Sequence, residues 1–147
     1  MGATIYFIDR LTLFSWLQSV WPVLFWNRLN RRQIKNNDFL SFLIKAKKNG
    51  LSVVGYGAAA KGNTLMNFSG VRPDLLPYVV DKSDAKQDKF MPGSRVPIMS
   101  ETQLKKDKPD YIVIFPWNIQ DEIIEQLAYI REWGGKFVIF IPSMRVI

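Results

Sequence analysis

The sequence predicts an α/β fold of the Rossmann type, in which helices flank a parallel β-sheet. From residue 51 onwards, apolar runs of strand length alternate with segments of helical composition. These runs are apolar at consecutive positions, which is typical of strands buried on both faces of a parallel sheet. A glycine-rich turn follows the first strand and opens a helix. The chain has 147 residues, 48% of them hydrophobic, which suits one packed domain of ordinary size.

The elements follow one another in a regular order. A first helix is predicted to begin at Asn37 or Asp38 and to end at Gly50, because lysines crowd its last turns and a glycine there stops a helix. Strands are predicted at 51–55, 78–81, 111–115 and 137–141, with a further short strand or extended link at 96–99. Helices are predicted at 58–67, 101–106 and 119–133, the last with its apolar residues spaced along one face.

Residues 1–36 form a different kind of segment, predicted to be an apolar and basic helical extension of the domain at 37–147. The run at 11–27 carries no charge and is followed by arginines, but it contains Pro22 and is shorter than the roughly 20 apolar residues of a spanning helix. Three interpretations remain open. The run is a helix packed on the domain or on a partner, a remnant of a longer chain, or an interfacial membrane anchor with tryptophans at headgroup level. Membrane contact is not favoured over the other two taken together.

Charge and residue types exclude several classes of function. The net charge is +7, but residues 1–50 hold eight of the basic residues and only two of the acidic ones. A nucleic-acid-binding protein carries its basic surface on the folded domain, so we expect no nucleic-acid partner. The chain contains no cysteine and no histidine, which excludes disulfides, thiolate ligands and a histidine base. We therefore expect no bound metal.

A glycine loop at residues 55–60 matches the pattern G-x-G-x-x-G/A, with Asp81 at the end of the next predicted strand. At this spacing a carboxylate reaches a ribose hydroxyl, while the helix N-terminus holds a phosphate. The alternative is that the glycines only permit close packing. Val53 and Val54 precede the loop where SAM sites tend to have an acidic residue, so the pattern favours a nucleotide or diphosphate over SAM.

Trp117 and Asn118, which follow the strand at 111–115, belong to the same candidate site. Ligands of open α/β sheets bind at the carboxyl ends of the strands, where Trp117 can stack on a base or sugar and Asn118 can form a hydrogen bond. The alternatives are that Trp117 belongs to the core and that Asn118 caps the next helix. The predicted nucleotide-binding or substrate-binding residues are Gly55, Tyr56, Gly57, Ala58, Ala59, Lys61, Asn63, Asp81, Trp117 and Asn118.

Five motifs, in order, resemble one family. They are VVGYGAAAKGNTL (53–65), RPDLLPYVVD (72–81), KQ…PG..VPI (86–98), KPDYIVIFPWN (108–118) and the acidic pair at 121–122. They are similar to the C-terminal domain of SAM-dependent sugar C-methyltransferases, and the resemblance covers about 37–147. Members of that family combine a zinc-binding domain, a SAM-binding domain and a Rossmann-like C-terminal domain. The resemblance implies methyl transfer from SAM to a carbon of a nucleotide-linked keto-sugar.

The departures from the family shape the expected function. Residues 1–36 lie outside the resemblance, the zinc-binding and SAM-binding domains have no counterpart, and Asp88 stands where the family often has glycine. We expect a cytoplasmic substrate-side domain that binds a nucleotide-linked sugar, present as a partial or split protein. In the split form a separate chain would bind SAM, and in either form this chain alone is expected to transfer no methyl group. The alternative is a stand-alone nucleotide-binding or NAD-binding module without methyltransferase activity; the alternative location is the membrane surface.

Overall fold

The computed structural model describes residues 37–147, and the predicted extension at 1–36, including its apolar run at 11–27, lies outside them. Within the described part, no helix combines the length and the apolar character needed to cross a membrane. The helices are α1 (37–48), α2 (Ala60–Phe68), α3 (Glu101–Asp107) and α4 (Gln120–Gln126). The strands are β1 (Val53–Tyr56), β2 (Val79–Val80), β3 (Ile98–Met99), β4 (Tyr111–Ile114), β5 (Lys136–Ile139) and β6 (Arg145–Val146).

The strands form a six-stranded sheet in the order β3-β2-β1-β4-β5-β6. Strands β1 to β5 are parallel, and β6 joins β5 in the antiparallel direction. This confirms the predicted α/β fold with a parallel sheet flanked by helices. The chain order reverses at β1, which pairs with β2 on one side and with β4 on the other. A reversal of this kind opens a crevice at the carboxyl ends of the strands, where ligands of such sheets bind.

Two hydrophobic clusters cover the two faces of the sheet. The first includes Phe39 of α1, Met66 of α2 and Phe115 after β4, all almost fully buried. The second includes Leu104 of α3 and Leu127 after α4. All four residues of β1 are buried, with Val53 in the first cluster and Val54 and Tyr56 in the second. Burial on both faces explains why the strands are apolar at consecutive positions rather than at every second one.

Antiparallel backbone flanks the five parallel strands on both sides. At one margin β6 pairs with β5 through Val138 and Ile139. At the other, residues 88–90 run alongside β3, where Ile98 donates to the carbonyl of Lys89 at 2.8 Å and accepts from the N–H of Asp88 at 3.0 Å. Neither segment is predicted from the sequence, because neither contains the apolar run that marks the buried strands.

The helix predicted at 119–133 is wrong as a single element. The structure has a 3₁₀ turn at Trp117–Ile119, then α4, then a second 3₁₀ segment at Ala128–Trp133. The backbone leaves helical geometry at Leu127 (φ −96°, ψ 18°), yet Leu127 and Ile130 stay buried on the same face. Residues three apart lie on one side of either helix type, so apolar spacing alone cannot locate the change. The predicted cap at Asn118 is also wrong, since the cap residue of α4 is Ile119.

A polar clamp joins the residues that precede β1 and β4. The carboxylate of Asp110 accepts hydrogen bonds from the backbone N–H and the hydroxyl of Ser52, both at 2.7 Å. The Ser52 hydroxyl in turn accepts from the backbone N–H of Asp110 at 3.0 Å. The two donors of Ser52 hold the pKa of Asp110 below its ordinary value of 3.8. The clamp therefore aligns the starts of the two central strands and favours the charged carboxylate.

Replacing Asp110 by alanine should lower the free energy of unfolding at neutral pH by about 1 kcal/mol, a modest value because the clamp is exposed to solvent. Because the folded-state pKa is depressed, this contribution is complete above the ordinary value and is lost as the pH falls through the lower folded-state pKa. Urea unfolding of both proteins between pH 7 and pH 2 measures it. Asp74→Ala, at an exposed carboxylate, is the control. A difference in the free energy of unfolding between wild type and Asp110→Ala that stays constant over this pH range would contradict the assignment.

Candidate functional site

The predicted site residues come together at the carboxyl edge of the sheet, on both sides of β1. The glycine loop leads from β1 into α2, Asp81 directly follows β2, and Trp117 and Asn118 follow β4. Since β1 lies between β2 and β4, these three segments lie together at the switch point of the sheet, where such sheets open a crevice. The sequence therefore predicted the elements that meet at this edge.

The glycines of this region permit close packing of the residues that follow β4. A Cβ at Gly55 would lie 2.6 Å from the ring of Phe115, and one at Gly62 would lie 2.5 Å from the same ring. Gly57 has φ +89°, and a Cβ there would lie 2.5 Å from the ring of Pro116. The packing interpretation thus accounts for the glycines themselves. Their packing also holds the first turns of α2 against the end of β4. The sequence analysis did not single out Gly62, because this residue lies outside the loop pattern.

The first turn of α2 presents free backbone donors at this edge. Ala59 donates its N–H to the carbonyl of Gly57 at 2.8 Å. Within the described part of the chain, the backbone N–H groups of Ala60, Lys61 and Gly62 have no acceptor. The first turn contains no acidic residue, and no side chain caps the helix. The positive end of the helix dipole is therefore not compensated by its own first turn.

Asp81 faces the glycine loop, as its spacing predicts, and is 8% exposed. Its Oδ2 accepts the backbone N–H of Ala58 at 2.7 Å and lies 3.1 Å from the Nζ of Lys86. Its Oδ1 accepts the backbone N–H of Ser83 at 2.9 Å. Gln87 donates its side-chain amide to the carbonyl of Asp81 at 3.0 Å. The chain's own donors therefore engage both oxygens of Asp81, and Lys86 lies beside the carboxylate that faces the glycine loop.

Lys61, Trp117 and Asn118 form a second polar group on the β4 side of the crevice. The Nζ of Lys61 lies 5.0 Å from the centroid of the Trp117 ring, within the range of a cation–π interaction. The same atom lies 3.5 Å from Oδ1 of Asn118. Among residues 37–147, Lys86 and Asp81 form the one salt bridge, so no carboxylate neutralises Lys61 there. The first turn of α2 thus contributes a positive charge that reaches the residues following β4.

The side chains of Tyr56 and Asn63 have different surroundings. The Tyr56 side chain packs in the second hydrophobic cluster, and its hydroxyl accepts the side-chain N–H of Gln126 at 2.9 Å. Burial raises the pKa of Tyr56, and the charges of Glu101 and Asp81 add to the rise. This hydroxyl therefore stays protonated at neutral pH. Asn63 is half-buried in α2, and its Oδ1 has no partner among the described residues.

Two comparisons with known proteins bear on the family of this chain. Residues 25–142 match the family described as the C-methyltransferase C-terminal domain, a match that begins earlier than the motif resemblance at 37. C-methyltransferase NovU of Streptomyces niveus is 40% identical over 98 residues, which are 67% of this chain and 23% of that protein. The chain thus covers about a quarter of the length of this relative. With most of its length matched, the chain belongs to the C-methyltransferase C-terminal domain family.

Proposed function

We propose that this domain holds the nucleotide-linked sugar on which a C-methyltransferase acts. The observation that carries the proposal is that the first turn of α2 contains both an unneutralised lysine, Lys61, and the free backbone N–H groups of residues 60–62. Backbone donors at a helix N-terminus together with a lysine are suited to a phosphate or diphosphate. In this proposal the diphosphate lies at the start of α2, while Trp117 and Asn118 contact the sugar or the base. Membership of the family supports the class of ligand.

The glycine loop does not fit SAM, the methyl donor that the family implies. SAM supplies the methyl group when bound, and its ammonium and ribose hydroxyls need acceptors such as free carboxylates. Val53 and Val54 before the loop are buried and apolar, and Asp81 is engaged by Ala58, Ser83 and Lys86. We propose that SAM binds to another domain or to a separate chain, and that this domain contributes the substrate side of the reaction.

Calorimetric titration of the chain with a thymidine diphosphate hexose tests the proposal, and Lys61→Gln should raise the Kd about tenfold or more. This is the effect of losing one charge-assisted contact to a phosphate. Lys106→Gln removes the same charge from an exposed position on α3 and should leave the Kd within about twofold. Equal affinity of Lys61→Gln and wild type would place the diphosphate elsewhere. Failure of the wild type to bind would refute the proposed function.

A stand-alone nucleotide-binding or NAD-binding module is the second candidate, favoured by the spacing between the glycine loop and Asp81. The same titration separates the candidates when NAD and SAM are added as further ligands. Tight binding of NAD without binding of the sugar nucleotide would favour this second function. Binding of the sugar nucleotide alone would favour the first.

A further inference from the structure

The carboxylate of Asp81 lies where the glycine loop would hold a ligand anion. Its Oδ2 accepts the N–H of Ala58, the residue just before the N-cap of α2, at 2.7 Å. This is the length of a charge-assisted hydrogen bond between a neutral donor and a charged acceptor. In nucleotide-binding loops of this shape, the backbone donors at the loop and the helix start point at a phosphate. An acidic side chain of the protein itself takes one of these donors here.

The surroundings of Asp81 stabilise it in this position. Besides Ala58 it has the N–H of Ser83 at 2.9 Å and the Nζ of Lys86 at 3.1 Å. Its side chain is 11% exposed, whereas that of Lys86 is 46% exposed. A ribose hydroxyl approaching Asp81 would meet a buried carboxylate that already accepts three hydrogen bonds. The ribose contact predicted from spacing alone would therefore have to displace donors that the chain provides.

We propose that Asp81 is an internal competitor for the anionic ligand of the glycine loop and so sets the affinity of the loop for phosphate groups. The inference rests on the proposed function, because it concerns the same ligand. An incoming diphosphate takes the N–H of Ala58 from Asp81. The half-exposed Lys86, on a flexible stem, then lies next to both anions and pairs with the ligand. Asp81 thus weakens binding until it is displaced.

Asp81→Asn separates this role from that of a ribose contact. The amide keeps an oxygen that can accept the N–H of Ala58, but it lacks the negative charge. The Kd for thymidine diphosphate and for inorganic pyrophosphate, measured by calorimetry at low salt, should fall at least about fivefold. A unit charge about 4 Å away changes binding by this factor even at the dielectric constant of water. Asp84→Asn removes the same charge from an exposed neighbour and should change the Kd less than twofold.

Equal or weaker binding of both ligands by Asp81→Asn would overturn the inference, and weaker binding of thymidine diphosphate alone would restore the ribose role. Thermal unfolding shows whether the variant is folded, and Asp81→Ser provides a second neutral side chain if it is not. Absence of binding by the wild type and by both variants would refute the proposed function, and this inference with it. Binding by the wild type with no gain in either variant refutes the inference alone.

Discussion

Replacing Phe115 by alanine is expected to lower the free energy of unfolding by about 3–5 kcal/mol, the usual cost of deleting a fully buried phenylalanine ring. Phe115 is 1% exposed and follows β4, where its ring fills the space left by Gly55 and Gly62. It also meets the ring of Phe39 edge to face, with centroids 6.3 Å apart. Because its contacts come from β1, α1 and α2, no single neighbour can move to close the cavity. Urea unfolding at neutral pH measures the loss.

The exposed phenylalanine at the end of α2 provides the matched control. Phe68 is 64% exposed, and Phe68→Ala should change the free energy of unfolding by less than about 0.5 kcal/mol. We also expect Phe115→Ala to weaken binding of the sugar nucleotide, because the ring sets the distance between the start of α2 and the end of β4. A loss of stability below about 1 kcal/mol would show that the glycines close around the missing ring.

Gly57→Ala is expected to lower the free energy of unfolding by about 2–4 kcal/mol, because it combines an unfavourable backbone angle with a steric clash of the new Cβ. The φ angle of +89° is unfavourable for any residue with a Cβ, and the new atom would lie 2.5 Å from Cγ and Cδ of Pro116. The proline ring is rigid, so relief requires the loop or the end of β4 to move. The same unfolding experiment measures the effect, and calorimetry measures the accompanying loss of ligand affinity.

Gly70→Ala is the control that measures the backbone penalty without the steric clash. It also has a positive φ, +66°, but a Cβ there has no atom within 4 Å. Gly70→Ala should therefore cost only the conformational part, about 1 kcal/mol. Similar losses in Gly57→Ala and Gly70→Ala would mean that the contact with Pro116 relaxes freely, and the packing role of the glycine loop would then be wrong.

The sequence predicts the features that depend on local pattern. Consecutive apolar residues locate β1 and β4, and the glycine loop with Asp81 locates the crevice, because strand burial and turn geometry are both properties of short segments. The partners of Asp81 could not be predicted in this way. They depend on the path of the loop after β2, which brings Ser83 and Lys86 back to the carboxylate.

Of the two interpretations of the glycine loop, the structure shows close packing, and ligand binding stays a prediction. Close packing against Phe115 and Pro116 requires the glycines, and the same packing places Lys61 beside Trp117 and Asn118. Local sequence carries no information on the distance between α2 and the end of β4, since that distance is set by side chains from both elements. The orientation of Tyr56 towards Gln126 is a tertiary contact of the same kind.

The short outer segments of the sheet bear on how this domain avoids unwanted association. A long bare outer strand offers a row of backbone groups on which another polypeptide can continue the ladder, and such growth leads to fibres or swapped dimers. Here the outermost segments are β6, which has two residues, and residues 88–90 beside β3. Edge segments this short offer few backbone groups for further pairing, so the described sheet is a poor template for growth along either side.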